Sequence, residues 1–424
     1  MTDPRLVAAR LALVALGSLL CLAAARRGWR PPVWTALAVG LGLRVVMLAL
    51  VQDVEPYDLV NDFHRAGENI LAHRDPILHT RPLGWNYTPL YAFVLAPAVW
   101  VEQSLGVPWL VVGRIAPIAF DLGVMLLVGR LASPGTSALR RFQYGCLPLP
   151  IMVSAVHGQM EPLCLLFAVG AFVVVRRPWL AGALLGLAVS VKSWPALFLP
   201  ALLLGLPGAR ERIRAAAAAA AVPAVLLLTL PLTAGTPVAA FPHIARTLLG
   251  YSPSVGTWGW PAVLLEVRPA EPTPWEDPFY LAVRKVGTLL TLAAVVAALW
   301  LWRRARATDT ALAVSSAFQA VTASHGVQYL LWPTPFAVAD PPRRAAWLFT
   351  ATGLYTAVGY LVLPSLTPET WAVWGPWYPV ASVPVVLVVL WTLPWGRRAR
   401  QAEGEGPVPE AHPVPAGARG AADR

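Results

Sequence analysis

The chain has 424 residues, of which 57% are hydrophobic and only 13% are charged, and its mean hydropathy is +0.58. Soluble domains carry about 25% charged residues, so the composition excludes an ordinary soluble protein and indicates a polytopic membrane protein. The formal net charge is +11, and much of it comes from arginine pairs between apolar segments, as the positive-inside rule describes. No aromatic-basic motif accompanies this charge, so we expect membrane lipids rather than nucleic acid to meet it.

Apolar stretches recur along the whole chain, and a helix needs about 20 apolar residues to cross a bilayer. Hydropathy predicts spans near residues 6–24, 33–52, 88–104, 108–130, 142–157, 160–175, 179–191, 194–208, 215–233, 281–302, 311–323, 326–339, 345–363 and 375–395. Several are too short to cross alone, so we expect an all-α bundle of about 11–13 transmembrane helices. The first span resembles a signal peptide, but a second span soon follows Arg26 and Arg27. Residues 1–32 are therefore predicted to be a retained membrane helix, with its removal as the alternative.

The arginines predict the orientation of the membrane domain, residues 33–396. Clusters at 303–306, 343–344 and 397–400 are expected on the cytoplasmic side, which puts the loops 53–86 and 234–280 on the external side. The segment 397–424, rich in Gly, Pro, Ala, Glu and Arg, is predicted to be a disordered cytoplasmic tail. One inconsistency remains, because crossings at both 88–104 and 108–130 would return the following arginines to the outside. One of these segments is therefore expected to be re-entrant or miscounted.

The loop 53–86 concentrates the polar chemistry. It holds six of the 22 acidic residues, namely Asp53, Glu55, Asp58, Asp62, Glu68 and Asp75. A carboxylate in such a loop can act as a general base toward a substrate hydroxyl. Asp58 and Asp62 are four residues apart, so a short helix would place both on one face. The alternative is a solvated loop without chemistry.

Four further polar residues stand in apolar surroundings. His157, Gln159 and Glu161 lie together at one helix junction, and because ionisable groups at membrane depth are costly we expect them to line a substrate cavity. Lys192 lies between two apolar segments. It is expected either to pair with a lipid phosphate or to extend its ammonium group to the interface.

Aromatic residues supply weaker candidates. Gln328 and Tyr329 open a span and are expected either to hydrogen-bond sugar hydroxyls or to belong to an interfacial aromatic belt. Trp258 and Trp260 lie in a Gly- and Trp-rich stretch of the second external loop, so they are candidates for stacking on a sugar in an acceptor-side lid.

Other features are read as structural. Arg114 and Asp121 are seven residues apart and are expected to neutralise each other through neighbours or to shape the bundle. The alanine run 215–221 offers a close-packing face. The cysteines, Cys21, Cys146 and Cys164, show no metal-site spacing. The loop carboxylates leave room for a divalent cation, but their spacing is not diagnostic and no metal ligand is assigned.

Four segments, taken in order, resemble the GT-C superfamily of polyprenol-phosphate-sugar glycosyltransferases. They are residues 57–63, 85–91, 157–162 with 192–195, and 328–335. Within that superfamily the chain is most similar to the polyprenol-phosphate-mannose-dependent mannosyltransferases. The resemblance implies a GT-C-like helical bundle whose external loops carry the active site.

The resemblance also implies a reaction. A hexose, with mannose favoured, would pass from a polyprenyl-phosphate donor to a lipid- or glycan-linked hydroxyl with inversion, at the external face of the cell membrane. Asp62 matches the acidic residue where the family has its catalytic base, and Asp58 is the second candidate, ahead of Asp53 with Glu55. Pro56 stands where relatives can carry Asp, which weakens any metal-binding role.

The substrate-binding residues that follow from these motifs and their surroundings are Tyr87, Arg81, His157, Gln159, Glu161, Lys192, Gln328 and Tyr329. Cationic groups such as Lys192 or Arg81 would steady the leaving phosphate. No Rossmann-like glycine loop is present, so a nucleotide-sugar site is not expected. Two alternatives stay open: a transporter or flippase of lipid-linked sugars, and a scaffold that has the fold without activity.

Overall fold

The computed structural model describes residues 3–80, 85–250, 254–270 and 273–397. Within these ranges the chain is helical throughout and contains no strand, so the predicted all-α membrane class is confirmed. The α-helices in chain order are α1 (Pro4–Arg26), α2 (Val33–Leu50), α3 (His64–Leu71), α4 (Pro76–His79), α5 (Leu90–Leu105), α6 (Trp109–Leu131), α7 (Ser137–Cys146), α8 (Pro148–Ile151), α9 (Glu161–Val173), α10 (Pro178–Val191), α11 (Leu199–Leu204), α12 (Ala209–Leu228), α13 (Leu230–Thr233), α14 (Phe241–Leu249), α15 (Gly259–Val267), α16 (Pro278–Leu301), α17 (Ala307–Val321), α18 (Thr334–Ala339), α19 (Ala345–Ala357), α20 (Pro368–Trp374), α21 (Trp377–Val380) and α22 (Ser382–Trp391).

Shorter helical turns of other types join these α-helices. Three are π-helical, Asp58–Phe63, Met152–His157 and Val358–Val362. Five are 3₁₀ helices, Trp194–Phe198, Val238–Ala240, Val327–Leu331, Leu363–Ser365 and Trp395–Arg397. Because π-helical turns are rare and gather at functional sites, their positions direct attention to the residues they carry.

The bundle has two chemically different ends. We call one the arginine end: there Arg306 donates to Asp309 at 3.0 Å and pairs with Asp340, while Arg397 donates to Asp309, also at 3.0 Å. The other, which we call the carboxylate end, holds Asp58 and its neighbours. The arginines at 303–306 and 397 thus share one end, as the sequence predicts.

The chain runs between these ends thirteen times within the described residues. Six of the stretches are long and apolar enough to cross a membrane alone, and the others are shorter or composite helices. The passes are α1, α2, α6, 137–157, α9, α10, 194–204, 209–233, α16, α17, 327–339, 345–365 and 377–397. The predicted range of about 11–13 helices includes this number.

Helix α5 is the predicted span that does not traverse the bundle. Just before it, Thr88 donates to the carbonyl oxygen of Val189 at 3.0 Å, and just after it Trp109 donates to that of Leu59 at 2.8 Å. Both acceptors lie at the carboxylate end, since they neighbour Lys192 and Asp58 in sequence. Helix α5 therefore packs along α3 at that end, and α6 alone carries the chain to the arginine end. This resolves the inconsistency in the predicted topology.

Small residues allow α10 and α12 to approach closely. A Cβ atom at Gly182 would overlap the carbonyl oxygen of Ala215, and one at Gly186 would lie 2.9 Å from that of Ala219. Interfaces of this kind let helix backbones meet in a membrane. The alanine run is a packing face, as predicted.

A buried ion pair joins the early passes. Arg44 donates twice to Asp121, at 2.6 and 2.9 Å, and Tyr144 and Ser154 donate to the same carboxylate at 2.8 and 3.1 Å. Arg44 and Asp121 are fully buried. Arg114 donates to backbone carbonyl oxygens, so Arg114 and Asp121 do not neutralise each other; both join segments of the bundle, which is the other role predicted for them.

Candidate functional site

The three π-helical turns bring three polar side chains together at the carboxylate end. Asp58, His157 and Tyr360 each come from one of these turns. The Gln159 amide donates to Asp58 Oδ2 at 2.7 Å and to His157 Nε2 at 2.9 Å. Because Nε2 accepts, a neutral His157 carries its proton on Nδ1 and donates it to the Tyr360 hydroxyl oxygen, 2.7 Å away. His157 Nε2 also lies 3.9 Å from Asp58 Oδ2.

A glycine makes this geometry possible. Gly158 ends the π-helical turn with φ +70°, a conformation that side chains other than glycine rarely adopt. The chain then reverses, and the Gln159 N–H donates back to the carbonyl oxygen of Val153 at 3.2 Å. A Cβ atom at Gly158 would lie only 3.0 Å from Arg114 Cγ. The reversal directs His157 and Gln159 toward Asp58 before α9 begins at Glu161.

A buried ion pair adjoins the cluster. Lys192 Nζ donates to Glu161 Oε1 at 2.7 Å, and the two side chains are 6% and 0% exposed. The ammonium group also lies 5.0 Å from the ring centroids of Tyr87 and Tyr329, a distance suited to cation–π attraction. Lys192 is therefore held inside the bundle, and the alternative of a lysine that reaches the interface is wrong.

Tyr87 belongs to the same environment. It lies in the connection before α5, and burial raises the pKa of its hydroxyl well above the ordinary value. The phenol stays protonated at physiological pH, so it can donate a hydrogen bond to a substrate oxygen.

Arg114 was predicted only to shape the bundle, but its guanidinium directly supports the cluster. It donates to the carbonyl oxygens of Val54, Val156 and Leu110 at 2.6, 2.9 and 2.9 Å and is fully buried. It thereby joins the segment that precedes Asp58 to the turn that carries His157. A lone arginine within an apolar span was the signal available in the sequence.

A cavity of about 890 Å³ opens beside Lys192. Tyr87, Lys192 and Tyr329 line its inner part, and Arg284 and Lys285 line it further out. The leucines of α16 that line it are Leu281, Leu289 and Leu292, and the last two are more than half exposed. Helix α16 is one of the six long apolar helices, so this cavity opens along a surface that can meet lipid.

A tryptophan on the same wall offers an unused donor. The rings of Trp194 and Trp332 stack with centroids 3.9 Å apart, and both line the cavity. The Trp194 indole interacts with the Cys164 thiol, whereas the Trp332 indole N–H has no hydrogen-bond acceptor among the described residues. A bound ligand with an oxygen acceptor would satisfy it.

A second cavity, of about 310 Å³, adjoins the cluster. His157 and Tyr360 line it together with residues 53–56, Val156 and Pro364. Tyr360 was missed in the sequence, since a tyrosine at the end of an apolar span carries no local signal that separates a site residue from an interfacial one.

The remaining predicted residues fall in different places. Asp62 lies on the same π-helical turn as Asp58 and is 9% exposed, whereas the Asp58 side chain is 32% exposed. Gln328 is half-buried on the turn that carries Tyr329, and no hydrogen bond joins it to the cluster within the residues that the structure describes. Arg81 lies outside the described residues.

The prediction of an acceptor-side lid is wrong for the two tryptophans of the second loop. Trp258 is 1% exposed and donates to the carbonyl oxygen of Gln319 at 2.7 Å, while Trp260 donates to that of Val321 at 2.9 Å. Both indoles are fixed by interior packing. Across the described ranges no group of three or more His, Cys, Asp or Glu residues could hold a metal ion.

Comparison with known proteins decides the class. Residues 85–324 match the model of glycosyltransferase family 87, which is more than half of the chain. The chain belongs to glycosyltransferase family 87. It is therefore a membrane glycosyltransferase, which acts on a sugar donor and an acceptor. The matched part of this family 87 protein includes Tyr87, His157 and Lys192 but not Asp58 or Tyr360. No curated protein and no solved structure matches the chain.

Proposed function

We propose that this family 87 protein transfers a hexose, mannose in the first instance, from a polyprenyl-phosphate donor to a lipid- or glycan-linked hydroxyl with inversion. One observation carries the proposal. A cavity that joins a buried ammonium group to an exposed apolar helix face lies next to a cluster containing a carboxylate and a neutral imidazole. A lipid-linked phosphate has the matching polarity along its length.

The lining of the larger cavity suits a lipid-linked phosphate donor. Lys192, Arg284 and Lys285 are cationic, and the indole N–H group of Trp332 lacks an acceptor among the described residues. These groups together suit a phosphate, since charge-assisted hydrogen bonds to phosphate are stronger than neutral ones. The leucines of α16 suit the hydrocarbon chain, which can extend from the cavity into lipid.

The two candidate bases, Asp58 and Asp62, differ in exposure. Asp58 is in contact with Gln159 and near His157, and a third of its side chain is exposed. Asp62 is only 9% exposed, so an acceptor hydroxyl reaches its carboxylate less readily. We therefore assign the general base to Asp58, where the family resemblance had favoured Asp62. His157 and Gln159 position the Asp58 carboxylate.

The reaction is then one displacement. Asp58 accepts the proton of the acceptor hydroxyl while the acceptor oxygen forms a bond to the anomeric carbon. The bond from that carbon to the phosphate oxygen breaks on the opposite side, and polyprenyl phosphate leaves with the bonding electron pair. Lys192 lies where its charge would stabilise the leaving phosphate.

The location follows from charge. If the arginine end faces the cytoplasm, as the positive-inside rule predicts, the carboxylate end and both cavities face the outside of the cell membrane. Polyprenyl-linked donors suit that side because their transfer needs no soluble nucleotide sugar.

The experiment uses the purified protein in lipid nanodiscs with radiolabelled polyprenyl-phosphate mannose and a membrane-lipid extract as acceptor. We expect wild type to move label into a new glycolipid, and Asp58→Asn to lower the rate about 10²–10⁴-fold, the usual contribution of a general base. Asp62→Asn is the matched comparison and should lower the rate less. If Asp62→Asn abolishes transfer and Asp58→Asn does not, the assignment of the base is wrong.

The same assay separates the transporter alternative. A flippase would move the labelled donor across the membrane and leave its glycosidic bond to phosphate intact, so no labelled product would form. Absence of transfer with mannose, glucose and arabinose donors alike would contradict the proposed reaction.

A further inference from the structure

The smaller cavity differs in chemistry from the larger one, although both adjoin the same cluster. Asp53 and Glu55 line it, and no lysine or arginine lines it within the residues that the structure describes. Two arginines adjoin it: Arg10 pairs with the lining residue Asp53, and Arg114 donates to the carbonyl oxygens of the lining residues Val54 and Val156. The Arg10–Asp53 pair is neutral, and the carboxylates of Glu55 and the neighbouring Asp58 outnumber the remaining cation, Arg114. The cavity therefore keeps an excess of negative charge.

We propose that this cavity binds the acceptor and that it selects an uncharged sugar ring whose hydroxyl enters beside His157. The inference rests on the proposed function, since it names the acceptor's place in that reaction. Carboxylates accept hydrogen bonds from sugar hydroxyls but repel phosphate, so the chemistry that suits a neutral glycan excludes an anionic lipid head group.

Size and shape agree with a single ring. Ligand pockets begin at about 300 Å³, and this cavity of about 310 Å³ is at that limit. The Tyr360 ring and the apolar faces of Val54, Val156 and Pro364 can pack against the C–H face of a sugar, as aromatic rings do. Glu55 and Pro364 are exposed at the rim, so the rest of a larger acceptor can extend outward.

The placement also fits the displacement. His157 lines the smaller cavity and Lys192 lines the larger one, while Asp58, Gln159 and Glu161 connect the two through hydrogen bonds and the His157–Glu161 segment. Inversion requires the acceptor hydroxyl and the leaving phosphate to stand on opposite sides of the transferred carbon, and two separate cavities that adjoin one cluster can hold them apart.

Binding can be tested without relying on catalysis. Saturation-transfer NMR on the full chain in nanodiscs would use methyl α-mannopyranoside as the neutral probe and mannose 6-phosphate as the anionic one. Pro364→Trp introduces a bulky side chain at the rim and should weaken binding of the neutral probe about tenfold or more, equivalent to 1.4 kcal/mol. Pro368→Trp is the matched control, because Pro368 is also exposed but lies outside this cavity.

Charge selection is tested by Glu55→Lys, with Glu68→Gln as the control at a partly exposed acid on α3, outside this cavity. We expect wild type to prefer the neutral probe and Glu55→Lys to reduce that preference. Unchanged binding of the neutral probe in Pro364→Trp would overturn the assignment of the cavity. An unchanged preference in Glu55→Lys would overturn the chemical class of the acceptor.

These outcomes are distinct from failure of the proposed function. If wild type binds the neutral probe in this cavity but transfers no sugar from any polyprenyl-phosphate donor, the sugar site stands and the proposed reaction falls. If wild type transfers sugar and Pro364→Trp raises the KM for the donor but not for the acceptor, the reaction stands and this inference falls.

Discussion

The Lys192–Glu161 ion pair permits a sharp separation of structural and chemical roles. Replacement of Lys192 by Met leaves the Glu161 carboxylate, which is fully buried, without its partner. Removal of one member of a buried pair typically costs about 3–5 kcal/mol, because the remaining charge is uncompensated. We expect Lys192→Met to lower the free energy of unfolding by an amount in that range.

The double variant Lys192→Met with Glu161→Met removes both charges. Since replacement of a buried ion pair by apolar residues is often neutral or stabilising, this variant should regain most of the stability. It should not regain transfer: loss of a group that stabilises developing negative charge typically lowers the rate about 10²–10³-fold. Lys192→Arg, which keeps the charge, should retain more transfer than Lys192→Met.

The assay combines thermal unfolding in nanodiscs with initial rates measured over a series of donor concentrations. Lys285→Met is the control, because Lys285 lines the same cavity but is exposed, and its loss should change the melting temperature little. If the double variant regains both stability and transfer, Lys192 serves only packing and the argument for a phosphate-binding amine is refuted.

Two further predictions concern stability. Gly182→Leu should destabilise the protein by about 1–3 kcal/mol through overpacking against Ala215. Gly42→Leu is the control and should not destabilise it, because a Cβ atom at Gly42 meets nothing within 4 Å. Equal melting temperatures of the two variants would contradict the α10–α12 contact. His325 lies in the connection after α17, and burial lowers its pKa to about 3. The unfolded chain therefore binds a proton on His325 at a higher pH than the folded protein does. The free energy of unfolding should fall as the pH drops below about 6.5. From pH 6.5 to 5 the loss is about 2 kcal/mol, and it should be absent in His325→Phe; a melting-temperature series that is identical for both proteins would count against it.

Composition and hydropathy predicted most of the fold because lipid-facing helices must be apolar wherever they cross. The predicted spans 33–52 and 179–191 correspond closely to α2 and α10. Hydropathy could not show that α5 stays at one end, because its composition is that of a crossing helix. The hydrogen bonds of Thr88 and Trp109, which fix its ends, are tertiary contacts.

The site was predicted in part for a similar reason. Polar residues in apolar surroundings drew attention to His157, Gln159 and Lys192, since such groups need a partner or a cavity. The partners themselves are distant in sequence: Glu161 is 31 residues from Lys192, and Tyr360 is 203 residues from His157. No local pattern distinguishes a partly exposed aspartate from a buried one, and Asp58 and Asp62 differ in this respect.

The three π-helical turns have a consequence for the side chains that they carry. Each such turn holds one residue more than an α-helical turn, so loss of a single residue would return it to α geometry while the flanking helices keep their phase. A deletion at Leu59 or Val153 would change neither the charge nor the number of spans. It would nevertheless remove the local widening from which Asp58 and His157 meet Gln159 and Tyr360. Insertions and deletions of one residue in these turns are therefore as informative about activity as substitutions of the polar residues themselves.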